Sequence, residues 1–189
     1  MSGETEPAGA LVHRAAAGES AAWEALVSRY TSLLWSVARA HRLDDATAGD
    51  VVQTCWLRLV EQLGRISDPD RVGAWLATTA RRECLRLIRR SAREHATNDA
   101  DLDRVDLAAA PVDAGLLLAE RDAALWRAMD ALGERCRQLL RILMADPPPS
   151  YDEVSAALDM PIGSIGPTRM RCLAKLRELA AAAGLGSTP

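Results

Sequence analysis

From Ser20 onward, apolar residues return at three- and four-residue steps: Trp23, Leu26, Val27, Tyr30, Leu34 and Val37. That spacing places them on one face of a helix, with Ser20 positioned to cap it. After His41–Asp45 a second pattern begins, where Thr47 followed by Asp50 resembles a capping box. Its apolar stripe is Val52, Cys55, Trp56, Leu59, Val60 and Leu63, and its opposite face carries Asp50, Gln53, Thr54, Arg58 and Glu61. Gly64 and the run Ser67–Asp68–Pro69 end that helix. A third helix is predicted from about Asp70 to Arg93, with Val72, Trp75, Leu76, Thr79, Ala80, Cys84, Leu87 and Ile88 facing inward. Residues 1–12 read as a frayed tail.

The pattern breaks at 94–115. Asp99, Asp101, Asp103, Asp106 and Asp113 stand there against a single Arg104, among Ala and Pro. Such a stretch reads as an extended, solvated linker. Helical spacing resumes near Leu116, with Leu118, Leu125, Trp126, Met129 and Leu132 on one helix. Another is predicted over 134–145, stopped by Pro147–Pro149. Ser150 and Glu153 then form a capping box by pattern, and a turn at Asp159–Met160–Pro161 leads to a last helix from about Ser164 to Ala183. The expectation is an all-α chain: a unit at 13–93, a flexible acidic linker at 94–115, and a second unit at 116–185 containing a helix-turn-helix.

Composition supports helices and narrows the chemistry. Hydrophobic residues make up 49% of 189, Phe is absent and aromatics are 4%, so the cores must be built from Leu, Val, Ile, Ala and five Trp. The net charge is −3, which removes any global basic signature for nucleic acid. Basic charge is local instead. Arg82, Arg86, Arg89 and Arg93 share one helical face flanked by Arg81 and Arg90, and Glu83 is the only acid between Arg81 and Arg93. Arginines without i,i+4 acids attract phosphate, although a solvated helix side also accommodates them. Trp75 nearby reads as a core residue, with base stacking as the alternative.

The segment 150–178 reads as a helix-turn-helix. Val154, Ala157 and Leu158 can pack on Ile165, Leu173 and Leu176 across a short turn. The second helix carries Arg169, Arg171, Lys175 and Arg177 before its first acid, Glu178. A recognition helix uses its N-terminal residues on base edges and basic side chains on phosphates. Spacing alone leaves open whether this is a DNA reader or a packed helix pair with a charged outer face.

Cys55, Cys84, Cys136 and Cys172 are far apart, with no CxxC and no His at ligand spacing. Buried free thiols are therefore expected, rather than disulfides or zinc. His13, His41 and His95 are isolated, and no GxSxG, Walker A or GxGxxG occurs, so neither an enzyme nor a cofactor is expected. No signal peptide is visible, and no stretch approaches 18 consecutive apolar residues.

Three blocks in order carry a resemblance. DATAGDVVQTCWLRLVEQL, then GAWLATTARRECLRLIRR, then LGERCRQLLRIL with SYDEVSAALDMPIGSIGPTRMRCLAKLREL, are similar to the group IV, or extracytoplasmic-function, sigma factors of the sigma-70 family. The similarity spans about Ser20 to Leu185. It implies a cytoplasmic, non-enzymatic subunit that binds core RNA polymerase, through the beta-prime clamp and beta, and directs initiation at promoter DNA. It also makes an anti-sigma partner plausible. By that resemblance, Asp50, Gln53, Trp56 and Arg58 dock on the clamp. Trp75 braces the melting helix, and Arg82, Arg86 and Arg89 meet the opened strand at the minus-ten element. Ser164, Gly166, Thr168, Arg169, Met170, Arg171 and Lys175 face the minus-thirty-five groove, while the acidic linker threads toward the active-site and RNA-exit channel.

The chain departs from the family pattern at several points. Thr54 stands where an acid is usual, Arg82 where Asn is common, Asp159 in place of a turn Gly, and Gly166–Pro167 in place of polar residues. Two other readings compete with the resemblance: a dimeric helix-turn-helix repressor or activator, and a helical polymerase-binding adaptor.

Overall fold

A computed structural model describes residues 6–97 and 116–183. Among these residues the secondary structure is helical throughout. The first unit holds α1 (Ala8–Ala16), α2 (Ser20–Ala40), α3 (Asp45–Gln62) and α4 (Val72–Thr97), with 3₁₀ turns at Leu63–Arg65 and Pro69–Arg71. The second holds α5 (Leu116–Asp130), α6 (Glu134–Leu143), α7 (Tyr151–Leu158) and α8 (Ile162–Ala182).

The first unit is built around α2. Leu26, Leu34 and Val37 are fully buried, and Val51, Cys55 and Leu59 of α3 and Val72, Leu76 and Ala80 of α4 close over them. Residues 8–12, expected to lie in a frayed tail, instead form the start of α1. Leu11 and Val12 are buried there, and the Gly9 N–H donates to Asp70 Oδ1 at 2.9 Å. Three apolar positions, Ala8, Leu11 and Val12, suffice to dock a nine-residue helix; so short a run gives little periodic signal on its own.

Helix starts also differ from expectation. Ser20 is the first residue of α2, and its N-cap, Glu19, makes no side-chain cap bond. α3 is capped by Asp44, which accepts from Thr47 N at 2.7 Å and Thr47 Oγ1 at 2.8 Å. Thr47 is thus the capped residue rather than the cap. These bonds hold the Asp44 carboxyl below its usual range. α4 continues to Thr97, so 94–97 extend the helix; the rest of the expected linker, 98–115, lies outside the described residues.

The second unit is built from α5–α8, with α6, α7 and α8 supplying its fully buried residues. Leu139, Ile142, Val154, Ala157 and Ile165 are fully buried within it. The Ser150–Glu153 capping box forms as the sequence predicts, with Ser150 N donating to Glu153 Oε2 at 2.7 Å and Glu153 N to Ser150 Oγ at 3.3 Å. Asp159 takes the left-handed conformation, φ 54°, that ends α7. Cys136 of α6 and Cys172 of α8 are joined in a disulfide, with Cα atoms 5.2 Å apart, which corrects the expectation of four free thiols. The two cysteines lie 36 residues apart in sequence, and only the return of α8 across α6 brings them together. Cys55 and Cys84 are free and buried. Burial pushes both thiols up to about 12, leaving them protonated and inert.

The two units pack on each other. α7 lies along the first half of α4, and α6 against α2. Arg71 pairs with Asp152 through two bonds, at 2.9 and 2.5 Å, and Arg81 pairs with Asp159 at 2.7 Å. Asp146 N donates to Ser32 Oγ at 3.0 Å. Gly73 makes the approach possible: a Cβ there would stand 2.1 Å from Glu153 Oε1 and 2.7 Å from Tyr30 Cε1.

Candidate polymerase and nucleic-acid interfaces

The outward face of α3 is the first candidate surface. Asp50 and Gln53 are exposed, Arg58 is partly exposed and Trp56 is half-buried. Trp56 meets Trp23 edge to face, with centroids 5.8 Å apart. That contact fixes the indole at the rim of the face while most of its area stays in the core. Two apolar residues also lie here. Val60, assigned to the buried stripe from its spacing, is 59% exposed, and Leu57 is 57% exposed. α3 packs mainly through Val51, Val52, Cys55 and Leu59, a stripe narrower than the sequence suggested, so Val60 rotates out beside Leu57. Exposed Leu and Val among Gln53, Asp50 and Glu61 make an apolar centre with a polar rim, the composition of a protein-docking surface.

The second surface is α4. Trp75 is half-buried against the core, and its main-chain carbonyl accepts from Thr79 Oγ1 at 2.8 Å. Arg82, Arg86 and Arg89 are exposed, as their spacing predicts. Ile88, read as inward-facing, is 39% exposed. The arginines are less free of acids than sequence suggested. Arg81 pairs with Asp159, Arg86 with Glu83 at 2.8 Å and Arg90 with Glu94 at 2.7 Å. The first of these partners is 78 residues away in sequence, invisible to an i,i+4 count. A shallow cleft lined by Thr78, Arg81, Arg82, Ser155, Asp159 and Pro161 separates the arginine face from the α7–α8 turn.

The third surface is the start of α8. Ile165 and Cys172 are buried, which turns Arg169, Met170, Arg171 and Lys175 to solvent and leaves Ser164, Gly166 and Thr168 half-buried. Met170 is 63% exposed. Ser164 Oγ donates back to Pro161 O at 2.7 Å, Arg171 Nη2 to Thr168 Oγ1 at 3.2 Å, and Lys175 Nζ to Glu178 at 3.0 Å. Pro167 sits within α8 without ending it. The arrangement is a helix-turn-helix whose second helix shows a basic face to solvent.

Sequence reasoning missed the buried polar groups. Arg137 of α6 is 1% exposed, pairs with Glu134 at 2.5 Å and has no partner for Nη1 among the described residues. His41, at the C-terminus of α2, has an Nε2 without a partner among the described residues. Burial lowers its pKa, Glu134 opposes that shift, and Arg81 and Arg137 add to it. Among the described residues no group of His, Cys, Asp and Glu is arranged to hold a metal, and no helix is long and apolar enough to cross a membrane.

Comparison with known proteins places this geometry. Residues 26–94, from α2 through most of α4, match the family model of Sigma-70 region 2. No curated protein matches the sequence. Among solved structures, CnrH in complex with the cytosolic domain of CnrY is similar with a TM-score of 0.61 and 24% identity, over 94% of this chain and 99% of that one. The sigma factor RpoE in complex with the anti-sigma factor NepR, from Bartonella quintana, is similar with a TM-score of 0.58 and 22% identity, over 83% and 95%. The two structures share the fold of both helical units, and residues 26–94 of this chain are similar to Sigma-70 region 2.

Proposed function

We propose that this protein is a two-domain sigma factor of the group IV kind, a cytoplasmic, non-catalytic subunit that binds core RNA polymerase and directs initiation at specific promoters. The observation that carries the reading is the region 2 match across α2–α4, the helices whose outer faces present both the Gln53–Leu57–Val60 docking surface and the Arg82–Arg86–Arg89 row. In this reading Asp50, Gln53, Trp56 and Arg58 meet the polymerase clamp, with Leu57 and Val60 as the apolar centre of the contact. Arg82, Arg86 and Arg89 hold the opened minus-ten strand by its phosphates. The start of α8, led by Arg169, enters the minus-thirty-five major groove. No cofactor takes part.

The packed arrangement of the two units adds a step. The promoter elements, as their names say, are centred about 25 base pairs apart, roughly 85 Å of duplex. Ion pairs hold the two reading surfaces within one compact body. Simultaneous reading therefore requires the Arg71–Asp152 and Arg81–Asp159 contacts to part when polymerase is bound. Both neighbouring structures hold their chains in complex with a second protein, in one case a named anti-sigma factor; an anti-sigma partner that favours the packed state fits this chain as well.

The test is run-off transcription with sigma-free bacterial core polymerase on the gene's own upstream region and a pool of genomic promoters. Specific transcripts are expected, lost with Gln53→Ala through docking and with Arg169→Ala through promoter choice. Failure to bind polymerase, with dimeric binding to a palindrome, overturns the reading in favour of a repressor. Polymerase binding with no transcript from any template overturns it in favour of an adaptor.

A further inference from the structure

Glu83 is the only carboxylate residue buried among the described residues, its side chain 4% exposed. A buried carboxylate is retained only where charge-assisted bonds offset its desolvation. Glu83 has two. Its Oε1 pairs with Arg58 Nη2 at 2.5 Å, and its Oε2 accepts from Arg86 Nε at 2.8 Å. The two arginines come from different helices and different surfaces. Arg58 rises from α3, next in sequence to the exposed Leu57, and Arg86 from the arginine row of α4. Their side chains are 43% and 59% exposed, so each guanidinium keeps part of its surface for an external partner while holding the carboxylate. The buried thiols of Cys55 and Cys84 flank the carboxylate and offer it no competing charge.

We propose that Glu83 is a positioning residue that couples the polymerase-docking face to the strand-binding face, because one carboxylate is shared by two guanidiniums. The inference rests on the sigma-factor reading above. Its sign follows from charge. Two cations on one anion leave net positive charge, and Arg86 remains available to a phosphate. Remove Arg58 and the carboxylate belongs to Arg86 alone. Arg86 is then neutralised and drawn from the strand, so DNA binding weakens although Arg58 touches no DNA. Coupling of this kind is reciprocal: phosphate on Arg86 returns the carboxylate to Arg58 and steadies it for docking.

The experiment measures binding of a fluorescent non-template-strand oligonucleotide, taken from a promoter the protein transcribes, with core polymerase saturating for each variant. Arg58→Ala is expected to weaken binding about fivefold, the lower end for coupled sites given the exposure of both arginines. Arg58→Lys restores it to within about twofold, since a cation again occupies Oε1. In an Arg86→Ala chain, Arg58→Ala has no further effect, and in a Glu83→Gln chain the Arg58 effect disappears. Should the Glu83→Gln chain fail to fold, the cycle between the two exposed arginines decides alone. Unchanged binding in Arg58→Ala, or equal weakening with Arg86 present or absent, overturns the coupling. Wild-type protein that does not bind polymerase overturns the sigma-factor reading instead.

Discussion

Replacing Gly73 by alanine should destabilise this protein, although the same change inside a helix ordinarily stabilises by about 0.5–1 kcal/mol. The added Cβ would stand 2.1 Å from Glu153 Oε1 and 2.7 Å from Tyr30 Cε1. The first contact must open by roughly 1 Å or more to reach ordinary van der Waals distance. Neither neighbour yields freely. Glu153 is held by the Ser150 N–H in the capping box, and Tyr30 is buried in the core of the first unit. Overpacking of this kind costs about 1–3 kcal/mol, and a lost capping bond adds up to about 1. The net expectation is a loss of about 1–3 kcal/mol once the helix gain is subtracted, concentrated where α7 lies on α4. Gly163→Ala in α8 is the control, since nothing lies within 4 Å of its Cβ position and Ser164, not a proline, follows it; it should gain up to about 0.5–1 kcal/mol. Urea and thermal unfolding of the two variants compare them directly, at about 2–4 °C per kcal/mol for a chain of this size. If Gly73→Ala raises the melting temperature as Gly163→Ala does, the close packing of α7 on α4 is refuted.

Further predictions follow from other contacts. Ser150→Ala removes the N-cap bond to Glu153 N and should cost about 1 kcal/mol in urea unfolding, while Ser164→Ala, whose hydroxyl only returns to Pro161 O, should change little. His41 has its pKa lowered in the fold by burial, so the unfolded chain takes up its proton first. Its contribution is fully present above the unfolded value near 6.5 and is lost as pH falls through the folded pKa; a melting temperature that drops on acidification below pH 6.5 in wild type, and drops less in His41→Gln, is the expected result. Reducing Cys136–Cys172, which closes a loop of 36 residues, should lower the stability of the second unit by about 2–4 kcal/mol, read as a shift in thermal unfolding with dithiothreitol that Cys136→Ser abolishes.

Much of this architecture is legible in the chain. The helices α2, α3 and α4 announce themselves because long amphipathic runs give repeated three- and four-residue steps, and the Ser150–Glu153 box because both members are polar types at a fixed spacing. The exposed arginines at 82, 86 and 89 follow from helix geometry alone. Other features depend on tertiary contact. α1 is short, and its burial is set by Asp70 and α2 rather than by its own pattern. Val60 and Leu57 are apolar on both sides of a stripe boundary, and only the packing of α2 on α3 decides which side is wet. The Cys136–Cys172 bond, the Arg81–Asp159 pair and the Arg58–Glu83–Arg86 triad join residues on separate elements. No local count finds the disulfide, Arg81–Asp159 or Arg58–Glu83, whereas Glu83–Arg86 and Arg90–Glu94 are local pairs three and four residues apart.

In the proposed function this chain, once on core polymerase, opens promoter DNA. Its most direct test places 2-aminopurine in the minus-ten element of a duplex promoter and follows fluorescence as protein and core polymerase are added. The expected result is a rise that needs both components, is lost with Gln53→Ala, and is reduced with Arg82→Ala. No rise with the complete wild-type complex on a promoter it binds, or a rise with core polymerase alone, would contradict it.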